Sequence, residues 1–185
     1  MLTKEEALTL VKKNVTKRNN LYHMIAVEAI MECVARYLGE NDNLWGLTGL
    51  LHDIDYEKTE FRPEKHTTFS KEILKDFDIP EVVVRAIKSH NFVYSHVEPE
   101  SSMEKALIAG DALSGLLVAC AKVMPSKKLA EVKVDTVVKK FGDKSFARGV
   151  ERTRILCCED FGIPRKTFFK IALDGLKAIS SEIGL

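Results

Sequence analysis

No apolar run in this sequence approaches the roughly 20 residues needed to span a bilayer, so a membrane-embedded chain and a membrane partner are not expected. Charge of one sign is not in excess either. The 28 Lys and Arg face 27 Asp and Glu, a formal net charge of +1, which gives no general attraction to nucleic acid. The four cysteines, Cys33, Cys120, Cys157 and Cys158, include no C-x-x-C pair, so a structural zinc site is not expected. Cys33 and Cys120 lie in apolar helical patterns and read as small core residues. Adjacent Cys157 and Cys158 read as reduced thiols, because vicinal disulfides are strained. The opening Met1-Leu2-Thr3-Lys4-Glu5-Glu6 is charged and amphipathic, unlike a signal peptide, and the expected compartment is the cytoplasm. Strand signals are nearly absent. Only the short Glu131-Val132-Lys133-Val134 alternates.

What is present is helical patterning. The 185 residues, 45% hydrophobic and 30% charged, fit one ordinary globular domain. Thr3 with Glu6 forms a capping box that opens a helix to about Lys13. A long helix follows over about 20–38, with Leu21, Met24, Ile25, Ile30, Met31, Val34 and Leu38 as its core stripe and Gly39 as its stop. Asp42 or Asn43 can cap a helix carrying Leu44, Leu47, Leu50 and Leu51 up to His52. Residues 54–65 read as loop, followed by helices over about 66–77 and from Pro80 to about Ser89. After an irregular stretch from Asn91 to Glu100, a second capping box at Ser101 and Glu104 opens an apolar helix to about Val123. Pro125 breaks the chain, a helix is expected from near Asp143 to Gly162, and Pro164 starts a last amphipathic helix. The fold class is therefore all-α. It is a compact helical bundle over about 18–120 with additional C-terminal helices over about 121–185 in a single domain.

Six residues stand out as metal ligands: His23, His52, Asp53, His66, His90 and Asp111. Apart from the adjacent pair, each falls on or at the end of a different helix, and bundles build metal sites from inward-facing residues on several helices. Imidazole and carboxylate together favour a transition metal over calcium. Asp111 sits in the apolar run Leu107-Ile108-Ala109-Gly110-Asp111-Ala112-Leu113, where a buried carboxylate needs a cation or hydrogen bonds. Singly, each has a plainer role: His23 as a part-buried core histidine, His66 as a surface residue, His90 at a helix C-terminus, Asp111 bonded to a hydroxyl.

The ordered set, with Leu21-Tyr22-His23, Gly49-Leu50-Leu51-His52-Asp53, Ile87-Lys88-Ser89-His90 and Ala109-Gly110-Asp111, resembles the HD superfamily of metal-dependent phosphohydrolases over about residues 18–120. The resemblance implies a metal held by His23, His52, Asp53 and Asp111, and a second metal through His66 and His90 with Asp53 bridging. It implies two divalent ions (Fe, Mn, Ni, Co or Mg) and hydrolysis of a phosphomonoester or phosphodiester by a metal-activated hydroxide, with Asp53 and His52 catalytic. No Gly-Tyr-Pro signature follows, and the layout is most similar to small bacterial HD hydrolases. The expected substrate is a nucleotide or other small phosphorylated metabolite.

Residues 122–154 hold ten Lys and Arg against four Asp and Glu. Lys144, Arg148 and Arg152, spaced by four, would line one helix face, and with Arg18 they are candidates to meet an anionic substrate. A solvated face is the plainer reading of each. Asp55 is a better candidate than Glu28 to orient a ligand histidine. His96 reads as a residue outside the ligand set. Two other functions share the ligand set: an HD-fold di-iron oxygenase and a non-catalytic metal-binding regulatory module. Exposed faces of the C-terminal helices leave a homodimer open.

Overall fold

The computed structural model describes residues 2–185 and contains no strand among them. Helix α1 (Lys4–Asn14) begins in the expected capping box, with Thr3 Oγ1 accepting from the Glu6 amide at 3.2 Å and Glu6 accepting from the Thr3 amide at 2.9 Å. Helix α2 (Arg18–Leu38) ends at Gly39, whose φ of 74° is the left-handed turn a glycine supplies without strain. Helix α3 (Asp42–Leu51) runs straight into His52. Then come α4 (Tyr56–Thr59), α5 (Thr68–Leu74), α6 (Glu81–His90), α7 (Phe92–Ser95) and the long α8 (Ser102–Lys122). The chain closes with α9 (Val134–Gly142), α10 (Arg152–Asp160) and α11 (Arg165–Ala178). No helix among the described residues is long and apolar enough to cross a membrane.

Helix α2 is the axis, and two glycines decide how closely its neighbours approach. A Cβ at Gly49 of α3 would lie 2.8 Å from the Val27 carbonyl oxygen and 2.9 Å from Glu28 Cα, both backbone atoms that cannot swing aside. A Cβ at Gly110 of α8 would come within 3.1 Å of Ile30 Cγ2. Gly49 precedes His52 by three residues and Gly110 precedes Asp111 by one, so the same close approaches bring both side chains toward His23 on α2. The C-terminal helices share this core. Ile155 and Cys158 of α10, and Phe168, Phe169, Ala172, Leu173 and Leu176 of α11, are buried in one cluster with Ile30, Met31 and Val34 of α2 and Leu113 and Leu117 of α8. A second cluster joins α1, α3, α5 and α6 through Val11, Leu50, Leu51, Leu74 and Ile87.

Several local expectations are corrected. Asn41, not Asp42 or Asn43, caps α3, accepting from the Leu44 amide at 3.0 Å. The loop over 54–65 contains α4 and a short 3-10 turn at Pro63–Lys65. The helix expected from His66 begins only at Thr68, because Thr67 takes a left-handed φ of 70°. Residues 131–134 form no strand; they lie between a 3-10 turn at Leu129–Glu131 and α9. Cys33 is half-buried beside the Arg36 guanidinium, whereas Cys120 is buried. The largest correction concerns the helix expected from Asp143. Residues 143–151 are a chain of turns, and Ala147 has a φ of 45°. Lys144, Arg148 and Arg152 therefore share no helix face. The Arg152 guanidinium instead holds those turns, donating to the carbonyls of Asp143, Phe146, Ala147 and Val150.

Candidate metal centre

The six sequence candidates come together in one cluster. His23 rises from the second turn of α2, and His52 and Asp53 leave the end of α3. His66 precedes the strained Thr67, His90 ends α6, and Asp111 lies in the middle of α8. His23 Nε2 lies 3.2 Å from His52 Nε2 and 3.1 Å from Asp111 Oδ1. His66 Nε2 lies 3.1 Å from His90 Nε2. Between these groups stands Asp53. Its Oδ2 is 3.7 Å from His23 Nε2, while its Oδ1 is 3.2 Å from His66 Nε2, 3.4 Å from His90 Nε2 and 3.6 Å from His52 Nε2. The donor atoms of His23, His52 and Asp111 form one group able to hold an ion, and those of His52, Asp53 and His90 form another.

The other nitrogen of each ring is held from behind. His52 Nδ1 is 2.7 Å from the Gly49 carbonyl and His90 Nδ1 is 2.6 Å from the Ile87 carbonyl. A carbonyl only accepts, so both Nδ1 atoms carry the proton. His66 Nδ1 donates to Asp55 Oδ1 at 2.8 Å, and Asp55 Oδ2 accepts the Ser70 amide at 2.9 Å. Ser114 Oγ gives its own proton to the Asp111 carbonyl at 2.8 Å, so it accepts from His23 Nδ1 at 3.0 Å. In the neutral form of each ring the proton therefore sits on Nδ1, which turns four Nε2 lone pairs toward two carboxylates. Lone pairs facing each other across about 3 Å repel unless a proton or cation lies between them. This donor set fits a divalent transition metal.

The electrostatics divide along the same lines. Burial pulls His52 down to about 4, so its ring is neutral near pH 7. Burial also opposes charge on His66, but the carboxylates of Asp53 and Asp55 outweigh it and push its pKa up to about 10. His23 is raised as well, because Asp111 and Asp53 outweigh its burial. Burial works to raise Asp53, yet His52, His66 and His90 hold it well below the usual carboxylate range. Asp111 is lowered against its burial by His23.

A cavity of about 320 Å³ opens over the cluster. Its walls add Asn20, Tyr56, Asn91 and Arg154 to the ligand candidates. Arg154 stacks on Phe92 at 5.7 Å, and its Nη1 donates to the His90 carbonyl at 3.1 Å. Among the described residues, Arg154 is the one Arg or Lys lining this cavity. Sequence reasoning counted it in the basic stretch and passed over it for Arg152. The expected periodicity of a helix from Asp143 misplaced the face, and only the true start of α10 reveals it. Lys144, Arg148 and Arg152 do not line the cavity, and Arg18 lies against Tyr22 instead. Asp55 does bond a candidate ligand, His66, while Glu28 pairs with Lys4 at 3.0 Å. His96 is exposed, at a φ of 55°, and lies outside this cavity's walls.

Comparison with known proteins agrees with this layout. The HD domain family matches residues 20–115, more than half of the chain. Relatives include Ribonuclease Y of Aliarcobacter butzleri (strain RM4018), 34% identical over 97 residues. Another is Ribonuclease Y of Streptococcus sanguinis (strain SK36), 35% identical over 97 residues. Each alignment covers 52% of this chain but 18% of the relative, so the chain matches under a fifth of the length of these relatives. No solved structure matches the chain.

Proposed function

The chain belongs to the HD domain family, and we propose that it is a metal-dependent phosphohydrolase acting on a nucleotide or another small phosphorylated metabolite. The observation that carries this reading is the convergence of four imidazole Nε2 atoms on Asp53 and Asp111, with every Nδ1 held from behind. His23, His52, Asp53 and Asp111 would hold one divalent ion. His66, His90 and Asp53 would hold a second. Ions bound there supply Lewis acidity and lower the pKa of water.

The remaining roles belong to the chain. Asp55 and Ser114 fix the His66 and His23 rings, so Nε2 of each keeps its aim. Arg154 commits Nη1 to His90 and Nε to Glu151, leaving Nη2 to bind a phosphate oxygen. In the overall reaction, the oxygen of one water bonds to phosphorus as the bond to the ester oxygen breaks. The ester oxygen leaves with a proton, giving an alcohol and phosphate.

A small substrate is favoured over RNA on charge and size. The net charge is +1, one arginine faces the cavity, and its volume of about 320 Å³ suits a small ligand. The relatives' name, Ribonuclease Y, makes RNA the competitor to test.

The test is a panel of phosphomonoesters, phosphodiesters and an RNA oligonucleotide, with Mn, Fe, Co, Ni and Mg added separately. Wild type is compared with His52→Ala and Asp53→Ala. Phosphate release that needs metal and disappears in both variants is expected. Preferential RNA cleavage would replace the small-substrate reading. An iron-loaded protein that consumes O₂ and never releases phosphate would replace it with an oxygenase.

A further inference from the structure

A second cavity, of about 250 Å³, also has His23 in its wall. The two cavities meet different edges of that ring. Nε2 faces the ligand cluster, while Nδ1 is bonded to Ser114, which lines the second cavity. The second cavity holds none of the other five ligand candidates. Its walls are Tyr22 and Ala26 of α2, Val118 of α8 and Ile183, with Asn19 and Lys122 as polar handles. Tyr22 is a fixed wall: the Arg18 guanidinium stacks over its ring at 5.0 Å and Arg18 Nε donates to its hydroxyl at 2.6 Å. This gives Arg18 a place, behind the wall of the second cavity.

We propose that this cavity is the subsite for the base of a nucleoside phosphate whose phosphate group lies across His23 at the ligand cluster. The inference rests on the phosphohydrolase reading for its orientation. Size and chemistry select the occupant. A volume near 250 Å³ is just below the roughly 300–1,000 Å³ of pockets for drug-sized ligands, so it admits one ring system. A sugar would need several hydroxyl partners, and these walls are mainly apolar. A heteroaromatic base has apolar faces for Tyr22 and Val118. Its polar edge suits the Asn19 amide, which offers both donors and an acceptor.

The test uses the metal-loaded 185-residue chain and two readouts. The first is binding of adenosine, which carries no phosphate, followed by saturation-transfer NMR with ribose as the control. Wild type should bind adenosine and not ribose. Val118→Trp, which fills the cavity, and the exposed Asn19→Ala, which leaves the core untouched, should each weaken adenosine binding by about tenfold or more. The second readout is the ratio of kcat/KM for adenosine monophosphate to that for glycerol phosphate, which should fall by a similar factor in both variants. Adenosine binding that is absent in wild type, or equal in all three proteins, overturns the subsite. Adenosine binding that follows the variants without cleavage of any phosphoester upholds the subsite and removes the hydrolase reading. Phosphate release with no preference for the nucleotide and no adenosine binding does the reverse.

Discussion

The two halves of the ligand cluster are built differently. His23 and Asp111 stand on α2 and α8 and His52 at the end of α3, helices pressed together through Gly49 and Gly110. His66 stands on a linker between a 3-10 turn and the short α5, one residue before a left-handed, β-branched Thr67. Its ring is held from behind by Asp55, which also holds the Ser70 amide, and its carbonyl accepts from Asn91 Nδ2 at 3.1 Å. The first half is set by packing, whereas the second joins His90, buried at the end of α6, to a His66 held by a hydrogen-bonded strap, so the His66 side should yield first when either is disturbed.

Removing the residue common to both halves should have the largest effect. Loss of a carboxylate that merely orients a ligand lowers affinity or activity by about 10–100-fold. Asp53→Ala removes a proposed ligand, so phosphate release should fall by more than about 100-fold, measured as kcat/KM at saturating metal. Asp55→Asn tests the strap itself. It should weaken metal binding by about 10–100-fold at the His66 half alone, read by titration calorimetry as loss of the weaker of two binding phases. Equal weakening of both phases would erase the distinction between the halves.

Protons should separate the halves as well. With its pKa at about 10, the folded metal-free chain carries a proton on His66 at neutral pH, and metal binding must expel it. His52, at about 4, has no such proton to lose. Apparent affinity at the His66 half should therefore fall by about tenfold per pH unit as pH drops below 10, until a second group titrates. The same shift acts on stability. The raised His66 pKa favours the folded metal-free chain most fully below pH 6.5, and that contribution is lost as pH rises toward 10. The lowered His52 pKa acts oppositely: its contribution is present above pH 6.5 and lost as pH falls toward 4. Thermal melts of His66→Gln and His52→Gln across this range check both signs.

The smallest effects concern the backbone. Gly49→Ala forces a Cβ onto the backbone of α2 and should destabilise the chain by about 1–3 kcal/mol in urea unfolding. Thr67→Gly removes a strained conformation worth about 1–3 kcal/mol, partly offset by the entropy of glycine, so stability should hold or rise slightly. A large loss from Thr67→Gly would show that the linker is not under strain.

The same contrast explains what the sequence could reveal. The capping boxes at Thr3 and Ser101, the stop at Gly39 and the long α2 and α8 were legible because periodicity and caps agree there. The spatial meeting of His23, His52, Asp53, His66, His90 and Asp111 was legible from their order, since a bundle brings distant helices together. The linker around Thr67 was not, because a left-handed threonine breaks the expected residue preference. Residues 143–151 do not form the expected start of a helix. The turns there are instead held by Arg152 through backbone carbonyls, which leave no pattern in sequence. Arg154 was missed for that reason. Gly49 was visible as a residue, but its contact with α2 is a property of packing alone.

The most direct test of the account is an anomalous-scattering map from crystals grown with excess manganese. Two peaks are expected, one among His23, His52 and Asp111 and one beside His66 and His90, with an Asp53 oxygen directed at each. In His66→Ala only the first peak should remain. A single peak in the wild-type chain at saturating manganese, or peaks that leave Asp53 without contact to either ion, would contradict it.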